Sequence, residues 1–463
     1  MIYDFINLDN SSPVPLYKQL YSSIRKAIEN NGLTKGDKLV SIRSLSKALG
    51  ISKTTVEAAY SQLCAEGYIK NSPQRGFFIQ GQVLALKEKS TADGTAAGNL
   101  NIPRVKYDLS SKSVTVDSTG IKLWRKYVKA YLNKDYIISS YGEPQGEYSL
   151  RRALSFYSYS VRSVVTTQDN IVIGAGTQSL LYLLCGLLRG LGTKIAVEKD
   201  ASKHFIKVFI DCGFDVVKIE SDDRGISFDK IREQNPDFLL INPSGSLKSG
   251  DRMKMERRYE LIEWAENNNK YIIEDDYNGE LVYNSRSVPA LQCSAAQSVI
   301  YLGSFSKLLL PSVRIGYMVL PERLREIYQK FKPYLNQTAS KIEQLALADY
   351  IKDGQLERHL RRLKKSYCEK SLAIMQVLTD NLKPSEEYKI KLFETSLAYE
   401  ITINTQLETN RLMQRLKDEQ IAIISAEAEN GRTTVKIGFS GIESENIEYA
   451  VTKLSSIIAE CKA

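Results

Sequence analysis

The hydrophobic pattern of this chain changes at one segment, and that change limits the fold more than any other feature of the sequence. Before residue 81, apolar residues recur every three or four positions, as in amphipathic helices. After residue 106, short apolar β-branched runs alternate with longer helical patterns, which is typical of βαβ units on a mostly parallel sheet. The segment between is rich in Gly, Ala, Ser, Thr and Asn. We therefore predict an α-rich N-terminal domain at residues 1–80, a flexible linker at 81–106 and a large α/β domain at 107–463.

Composition is that of a folded protein without a membrane span. The 463 residues are 43% hydrophobic and 25% charged, which excludes a disordered chain. The longest apolar run, near residues 180–188, is shorter than the roughly 20 residues that cross a bilayer. Residues 1–10 lack the basic and apolar regions of a signal peptide, and six scattered cysteines form no close pair of the metal-binding or redox kind. We predict a cytoplasmic protein with no metal site.

The N-terminal domain combines positive charge with the spacing of a helix-turn-helix. Residues 1–80 carry ten Lys and Arg against six Asp and Glu, which is +4 of the total net charge of +9. A first helix face is followed by a second helix that ends at Gly50 and a third that begins after Ser52, a good N-cap residue. Two short apolar runs then flank a basic turn at Arg75, as in a wing. A helical packing domain with an incidental basic face has the same spacing, so spacing leaves both interpretations open.

The order of residues resolves this ambiguity. The segment LVSIRSLSKALGISKTTVEAAYSQLCAEGYIKNSPQRGFFI resembles the winged helix-turn-helix of the GntR family, with Val40 in place of a proline and Lys53 in place of the usual arginine. Lysine keeps a phosphate contact but gives up bidentate reading of guanine. The resemblance implies DNA contacts from Ser41, Arg43, Ser52, Lys53, Thr54, Thr55, Arg75 and Gly76.

The strongest chemical motif is VIYLGSFSKLLLPSVRIGYMVLP at residues 299–321. Lys307 follows an apolar strand and two serines, Ser304 and Ser306, and Arg314 comes seven residues after it. A lysine that forms a Schiff base needs a partly desolvated pocket in which its neutral form is accessible, and hydroxyls with a guanidinium can bind a phosphate. The alternative interpretation is a solvated lysine on a loop.

Three further segments weaken that alternative. In IVIGAGTQSLLYLL, a glycine-rich loop leads to Thr177 and Gln178 at a helix start, where N–H groups and the helix dipole favour a phosphate. In YIIEDDYNGE, an apolar strand ends in carboxylates, one of which can keep a pyridinium nitrogen protonated. In SSYGEPQGEYSLRRAL, Tyr141 precedes a helix.

Together and in this order, these segments resemble the fold-type I aminotransferases over roughly residues 107–463. The resemblance implies pyridoxal 5′-phosphate as cofactor, with Lys307 as the Schiff-base lysine, Asp275 on the pyridine nitrogen and Tyr277 on the phenolic oxygen. Asp276 replaces Asp275 if the strand register differs by one. The resemblance further implies phosphate contacts from Ser304, Ser306, Arg314, Thr177 and Gln178, with Tyr141 reaching the phosphate of the neighbouring subunit.

A GntR-type head joined to such a body resembles the MocR subfamily of transcriptional regulators. The resemblance implies double-stranded operator DNA as a partner and a domain-swapped, head-to-tail homodimer. It also implies an effector domain that senses pyridoxal phosphate, an amino compound, or both.

Several positions of the expected ligand site depart from the family pattern, and four of them bear on ligand binding. Leu247 stands where an enzyme of this fold has an asparagine, and Ser202 where a tyrosine packs beside the cofactor. His204 and Lys436 stand where related regulators have arginines that receive a ligand carboxylate, and neither offers two parallel hydrogen bonds. The replacements are either neutral or indicate an effector other than an ordinary α-amino acid. We favour the second reading, with an ω-amino compound, a small peptide-like amine or pyridoxal phosphate itself as effector.

The function expected from these features is transcriptional regulation rather than catalysis, with at most a weak half-transamination. A rival is an active aminotransferase with a vestigial head, against which Leu247, His204 and Lys436 argue. A third reading is a DNA-binding protein whose body has lost the cofactor. The presence of Lys307 and Asp275 together with Arg314 argues against it.

Overall fold

The computed structural model divides into two compact units, Met1–Ile102 and Pro103–Ala463. The predicted linker falls largely on residues 81–104, which lie outside the described residues, so the predicted domain boundaries stay a prediction. Within the described part of the chain, no helix is both long and apolar enough to cross a membrane. The structure describes residues 5–9, 12, 14–30, 32–80, 105–111, 113–114, 118–199, 201–245, 252–283, 287–383, 385–393 and 396–462.

The N-terminal unit is a helix-turn-helix with a two-stranded wing. Its elements are α1 (Leu16–Glu29), α2 (Ile42–Leu49), α3 (Lys53–Ala65), β1 (Ile69–Ser72) and β2 (Gly76–Ile79). The two strands are antiparallel, with Ile69 opposite Ile79. Leu20 and Ile24 of α1 pack with Val56 and Leu63 of α3 in the core of this unit.

Local sequence determines where the helices of this unit begin and end. The Ser41 hydroxyl accepts a hydrogen bond from Ser44 N at 3.2 Å, and the Ser52 hydroxyl accepts one from Thr55 N at 3.1 Å, so each serine caps a helix. Gly50 ends α2 in the left-handed region at φ 66°, which glycine adopts without steric cost. The predicted turn and the predicted Ser52 cap are confirmed.

The C-terminal unit alternates strands and helices before ending in a second, smaller sheet. Its elements in chain order are β3 (Tyr107–Leu109), α4 (Ser118–Leu132), α5 (Asp135–Ile138), α6 (Tyr148–Arg162), β4 (Ile171–Gly174), α7 (Thr177–Leu188), β5 (Lys194–Glu198), α8 (Lys203–Asp211), β6 (Asp215–Ile219), β7 (Ser221–Asp222), β8 (Gly225–Ile226), α9 (Phe228–Gln234), β9 (Phe238–Ile241), α10 (Met255–Asn267), β10 (Tyr271–Asp275), β11 (Val299–Ser304), β12 (Gly316–Val319), α11 (Glu322–Phe331), α12 (Lys341–Lys352), α13 (Gln355–Leu382), β13 (Tyr388–Phe393), β14 (Ala398–Ile403), α14 (Thr409–Asp418), β15 (Ile421–Ile423), β16 (Ser425–Glu429), β17 (Arg432–Gly438) and α15 (Ile447–Glu460).

The large sheet has the strand order β4-β12-β11-β10-β9-β5-β6. Along this order, each strand from β11 to β6 pairs in parallel with the next. Within the sheet, only β12 runs antiparallel to its neighbours, β11 and β4. Alternate residues face helices on opposite sides: Leu240 packs in the cluster that contains α7 and α8, and Leu239 in the cluster that contains α10. Because helices cover both faces of the sheet, the sequences of these strands are continuous apolar runs. The predicted α/β class with a mostly parallel sheet is confirmed.

A smaller antiparallel sheet, β13-β14-β17-β16, completes the unit. The 28-residue helix α13 packs against α15 beside it. Strand β3 pairs in parallel with β15, with Tyr107 opposite Ile421, so the first strand of this unit is attached to its last third. The parallel strands of the large sheet direct their carboxyl ends to one edge, where ligands of such folds bind.

Candidate functional site

A cavity of about 440 Å³ opens at the carboxyl ends of the parallel strands. Four separate segments of the chain supply its predicted ligands, and the structure brings them together in one place. The cavity is lined by Gly176, Thr177, Gln178, Glu198, Ala201, Ser202, His204, Phe205, Leu240, Ile241, Asn242, Gly245, Asp275, Tyr277, Ser304, Ser306, Lys307 and Arg314.

Lys307 reaches the cavity from the turn that follows β11. Ser304 ends the strand, Phe305 is fully buried, and Ser306 N donates to Ser304 Oγ at 3.3 Å, which fixes the turn. Lys307 Nζ lies 4.9 Å from the ring centroid of Tyr277. Burial lowers the pKa of Lys307, with the Asp275 carboxylate opposing the shift. The neutral amine, which is the nucleophilic form, is therefore more accessible than in a solvated lysine.

Asp275 and Asp276 are adjacent in sequence but have different surroundings. The Asp276 carboxylate lies outside the cavity lining and accepts hydrogen bonds from Arg162 Nε at 2.6 Å, Ser244 Oγ at 2.7 Å and Tyr301 Oη at 2.9 Å. Burial alone would raise the pKa of Asp276, but Arg162 and these bonds hold it below its usual range. Asp276 is thus committed to a structural ion pair.

Asp275 faces the cavity and remains available. Its Oδ1 is buried without a hydrogen-bond partner among the described residues, an arrangement that costs free energy unless a ligand donor fills it. Burial, reinforced by the charges of Asp276 and Glu198 and opposed by Lys307, raises the pKa of Asp275 to about 7. Of the two register alternatives, Asp275 is the carboxylate at the cavity.

The other end of the cavity is built to receive an anion. Helix α7 begins at Thr177 after Gly176, whose φ is +84°. Gly176, Thr177 and Gln178 line the cavity, so the helix start, with N–H groups that have no partner within the helix, lies at this end. A Cβ on Gly176 would lie 3.2 Å from Arg314 Nη2. The absence of a side chain at Gly176 thus lets the guanidinium approach the helix start. A phosphate there would meet a helix N-terminus and a guanidinium together.

The remaining predicted cavity residues lie in three different places. His204 and Ser202 line the cavity, with the His204 side chain exposed at the start of α8. Tyr141 lies outside the lining and is 99% exposed. Lys436 also lies outside it, and its Nζ pairs with Glu400 Oε2 at 3.2 Å. The effector roles of His204 and Lys436 stay predictions. Leu247 lies outside the described residues.

The predicted DNA-contacting residues all lie on the helix-turn-helix and its wing. The start of α3 carries Ser52, Lys53 and Thr54 on its exposed surface, and Arg43 is exposed on α2. On the wing, the guanidinium carbon of Arg75 lies 6.0 Å from the ring centroid of Phe78. Ser41 and Thr55 complete the helix starts, and Gly76 begins β2.

Sequence reasoning missed several residues of the site. Glu198 and Asn242 form one wall, with Asn242 N donating to Glu198 Oε2 at 3.0 Å. Glu198 ends a buried strand, as Asp275 does, so a search for carboxylates at the ends of apolar strands would have predicted it. Arg162, the partner of Asp276, sits on α6 and belongs to no motif.

Comparisons with known proteins match both parts of the chain. Residues 106–454 match the family Aminotransferase class I and II, and residues 16–79 match the family Bacterial regulatory proteins, gntR family. The chain is 33% identical to the uncharacterized HTH-type transcriptional regulator YhdI of Bacillus subtilis (strain 168), over 97% of each chain.

More distant relatives match about four fifths of the chain. The chain is 28% identical to the HTH-type pyridoxine biosynthesis transcriptional regulator PdxR of Corynebacterium glutamicum over 81% of each chain. It is 27% identical to the probable rhizopine catabolism regulatory protein MocR of Rhizobium meliloti, over 78% of this chain and 77% of that protein.

Solved structures share the fold of the larger unit. An archaeal alanine:glyoxylate aminotransferase is 20% identical with a TM-score of 0.66, and the match covers 76% of this chain and 91% of that one. The α-aminoadipate aminotransferase LysN of Thermus thermophilus is also 20% identical with a TM-score of 0.66, over 78% and 93% of the two chains. With its matched head, body and full-length relatives, the chain belongs to the MocR-type transcriptional regulators, in which a GntR helix-turn-helix domain is joined to an aminotransferase class I and II domain.

Proposed function

We propose that this regulator binds operator DNA through its winged helix-turn-helix and senses pyridoxal phosphate, alone or with a small amino compound, through the Lys307 cavity. The observation that carries the proposal is the convergence of Lys307, Asp275 and Arg314 on one cavity of a chain that also carries a GntR-type head. The proposed partners are thus double-stranded DNA and a small molecule.

The residues of the cavity fit pyridoxal phosphate. The unpartnered Oδ1 of Asp275 would accept from the protonated pyridine nitrogen, and the Tyr277 hydroxyl would bond the phenolic oxygen. Arg314 and the start of α7 would hold the phosphate, because Gly176 leaves space for the guanidinium. When bound, the cofactor supplies an aldehyde that condenses with amines and a ring that withdraws electrons from them. Thr177, Gln178, Ser304 and Ser306 would complete the phosphate contacts.

Two side chains set the charges around the bound cofactor. Lys307, whose pKa is lowered by burial, would hold its amine more readily in the neutral form that condenses with an aldehyde. Asp275 has a pKa raised to about 7, and a cationic ring nitrogen beside it would restore its ionised form. Arg162 keeps Asp276 turned away from the cavity, so one carboxylate serves the ring.

The exposed residues of the head support the DNA-binding half of the proposal. Arg43, Lys53 and Arg75 present cations on α2, α3 and the wing, and the hydroxyls at the start of α3 lie where a recognition helix meets base edges and phosphates. A domain-swapped, head-to-tail homodimer would place two such heads on paired half-sites. The exposure of Tyr141 supports its proposed role at the phosphate of the neighbouring subunit.

An active aminotransferase is the second candidate function, and the site argues against it. Transamination needs a substrate held in one pose, but Lys436 pairs with Glu400 outside the lining and His204 is exposed. We therefore propose a sensor with at most a slow half-transamination. Sustained turnover with any amino acid would favour the enzyme.

The test measures DNA affinity with and without the cofactor. DNA selected from a random pool by the full-length protein is titrated by fluorescence anisotropy, using wild type and Lys307→Ala. We expect pyridoxal phosphate, alone or together with an amine, to change the dissociation constant of wild type for DNA but not that of Lys307→Ala. Identical affinities of wild type with and without the cofactor and amines would contradict the proposed sensing.

A further inference from the structure

A second cavity adjoins the Lys307 cavity and plays no part in the proposed cofactor site. Its volume is about 500 Å³. Glu198 and Asn242 line both cavities, so a ligand that enters the first can extend past this shared wall into the second.

Four cationic side chains converge on the second cavity from three parts of the unit. Arg224 lies in the turn between β7 and β8, Arg252 and Lys254 precede α10, and Lys391 lies on β13. Segments that are far apart in sequence thus bring cations to one cavity. We call this cavity, with these four cations, the acid subsite.

The backbone holds two of these segments together. Lys254 N donates to Arg224 O at 2.9 Å, and a Cβ on Gly225 would lie 2.9 Å from Met253 Cγ. Met253 is buried against this turn. Arg252, Met253 and Lys254 all line the cavity, so this one segment brings two cations to it beside a buried methionine.

The charges of the lining favour an anion. Four cations and three carboxylates line the cavity, a surplus of one positive charge, and Arg224 Nη1 also lies 3.5 Å from Glu260 Oε1 outside it. Two of the carboxylates already accept from the protein: Glu198 from Asn242 N at 3.0 Å, and Asp222 from Arg257 Nη2 at 2.8 Å and from Arg224 N at 2.8 Å. Protein donors therefore already meet these two carboxylates, and an acidic group of a ligand in the cavity would lie among cations from three segments of the chain.

We propose that the acid subsite binds a second, acidic group of the effector, whose amine enters the Lys307 cavity. This inference rests on the proposed function. It assigns the effector to the amino compounds that carry a carboxylate or phosphonate remote from the reacting amine. In this proposal the acidic group is bound by the cations of the acid subsite rather than by Lys436, which pairs with Glu400.

The test compares probes that differ only in the acidic group. L-2-Aminoadipate, L-2-amino-5-phosphonopentanoate and L-norleucine are titrated calorimetrically into the full-length protein loaded with pyridoxal phosphate. Since a hydrogen bond to a charged group contributes about tenfold in affinity, we expect at least one acidic probe to bind about tenfold more tightly than norleucine. The tighter of the two acidic probes distinguishes a carboxylate site from a phosphonate site.

Variants connect the difference to the subsite. Lys254→Met with Lys391→Met should remove the advantage of the acidic probe and leave norleucine unchanged. Lys389→Met is the matched control, because Lys389 lies two residues away on β13 and outside the lining. It should preserve the advantage.

Equal affinities of acidic probes and norleucine in a protein that carries the absorbance band of the bound cofactor would overturn this inference and leave the proposed function standing. An advantage that survives the double variant would also overturn it. A wild-type protein that acquires no such absorbance would overturn the proposed function and this inference with it.

Discussion

At the scale of single residues, the site depends on how two neighbouring carboxylates are separated by their surroundings. Asp276 lies among donors from Arg162, Ser244 and Tyr301, whereas Asp275 has an unpartnered oxygen at the cavity. The sequence EDDY predicts a strand that ends in acids, but it leaves the register open. The partner that decides it, Arg162, lies 114 residues away on α6, and no local pattern reports such a contact.

The first prediction concerns the stability of the Asp276 ion pair. Asp276→Asn leaves Arg162 buried without its counter-charge, so the free energy of unfolding should fall by about 3–5 kcal/mol. Asp275→Asn is the matched control and should cost far less, because Asp275 has no bonded partner at Oδ1. Urea denaturation of the cofactor-free protein at neutral pH measures both. Equal losses would show that the two carboxylates share one environment.

The second prediction concerns pH. The pKa of Asp275 is raised to about 7 in the folded chain, so between about pH 4 and pH 7 the folded state binds more protons than the unfolded state. The contribution of this group to stability is therefore present below about pH 4 and is lost as pH rises toward 7. Burial likewise raises the pKa values of Glu274 and Glu280 to about 7. Asp275→Asn should therefore remove only part of the loss of unfolding free energy that these raised pKa values cause between about pH 4 and pH 7. Urea denaturation of cofactor-free wild type and variant at several pH values measures this, and identical losses would contradict it.

At the scale of elements, the ends of helices and strands create the binding surfaces. The start of α7 and the turn after β11 form the anion end of the cavity, and the starts of α2 and α3 form the exposed surface of the head. Sequence predicts these junctions well, because glycines, caps and apolar runs act locally. It predicts poorly which junctions meet, as the separation of Lys436 from the cavity illustrates.

The third prediction tests the junction at α7. Gly176→Ala places a Cβ 3.2 Å from Arg314 Nη2 in a backbone with φ +84°. Displacing the guanidinium should weaken pyridoxal phosphate binding about tenfold, by the loss of one charged hydrogen bond. Gly186→Ala lies in the same helix with nothing within 4 Å of the new Cβ, and it should leave affinity unchanged and slightly stabilise α7. Spectroscopic titration compares the two, and equal affinities would remove Gly176 from the phosphate site.

The fourth prediction tests the start of α3. Lys53→Met removes one proposed phosphate contact, so DNA affinity should fall and the slope of log affinity against log salt should become shallower by about one. Lys18→Met on α1 is the control, since Lys18 is also exposed but lies outside the helix-turn-helix and the wing. Anisotropy titrations at several salt concentrations measure both slopes. An equal effect of the two variants would indicate nonspecific charge attraction.

At the scale of the whole molecule, the chain joins a DNA-binding unit to an aminotransferase-type unit. The change of periodicity predicts both units, because a parallel sheet covered on both faces requires apolar strand runs separated by helices. The acid subsite could not be predicted, since β13, the β7–β8 turn and the start of α10 meet only in the folded chain. Eight residues of the cavity, from Thr177 to Arg314, were predictable because three motifs occur in a recognisable order.

The most direct test of the cofactor site is chemical mapping of the lysine that holds it. Full-length protein is incubated with pyridoxal phosphate, reduced with borohydride and digested, and the peptides are analysed by mass spectrometry. We predict a phosphopyridoxyl group on Lys307 in wild type and none at any position in Lys307→Ala. Modification of a different lysine, or persistence of the same yield in Lys307→Ala, would contradict the assignment of this cavity.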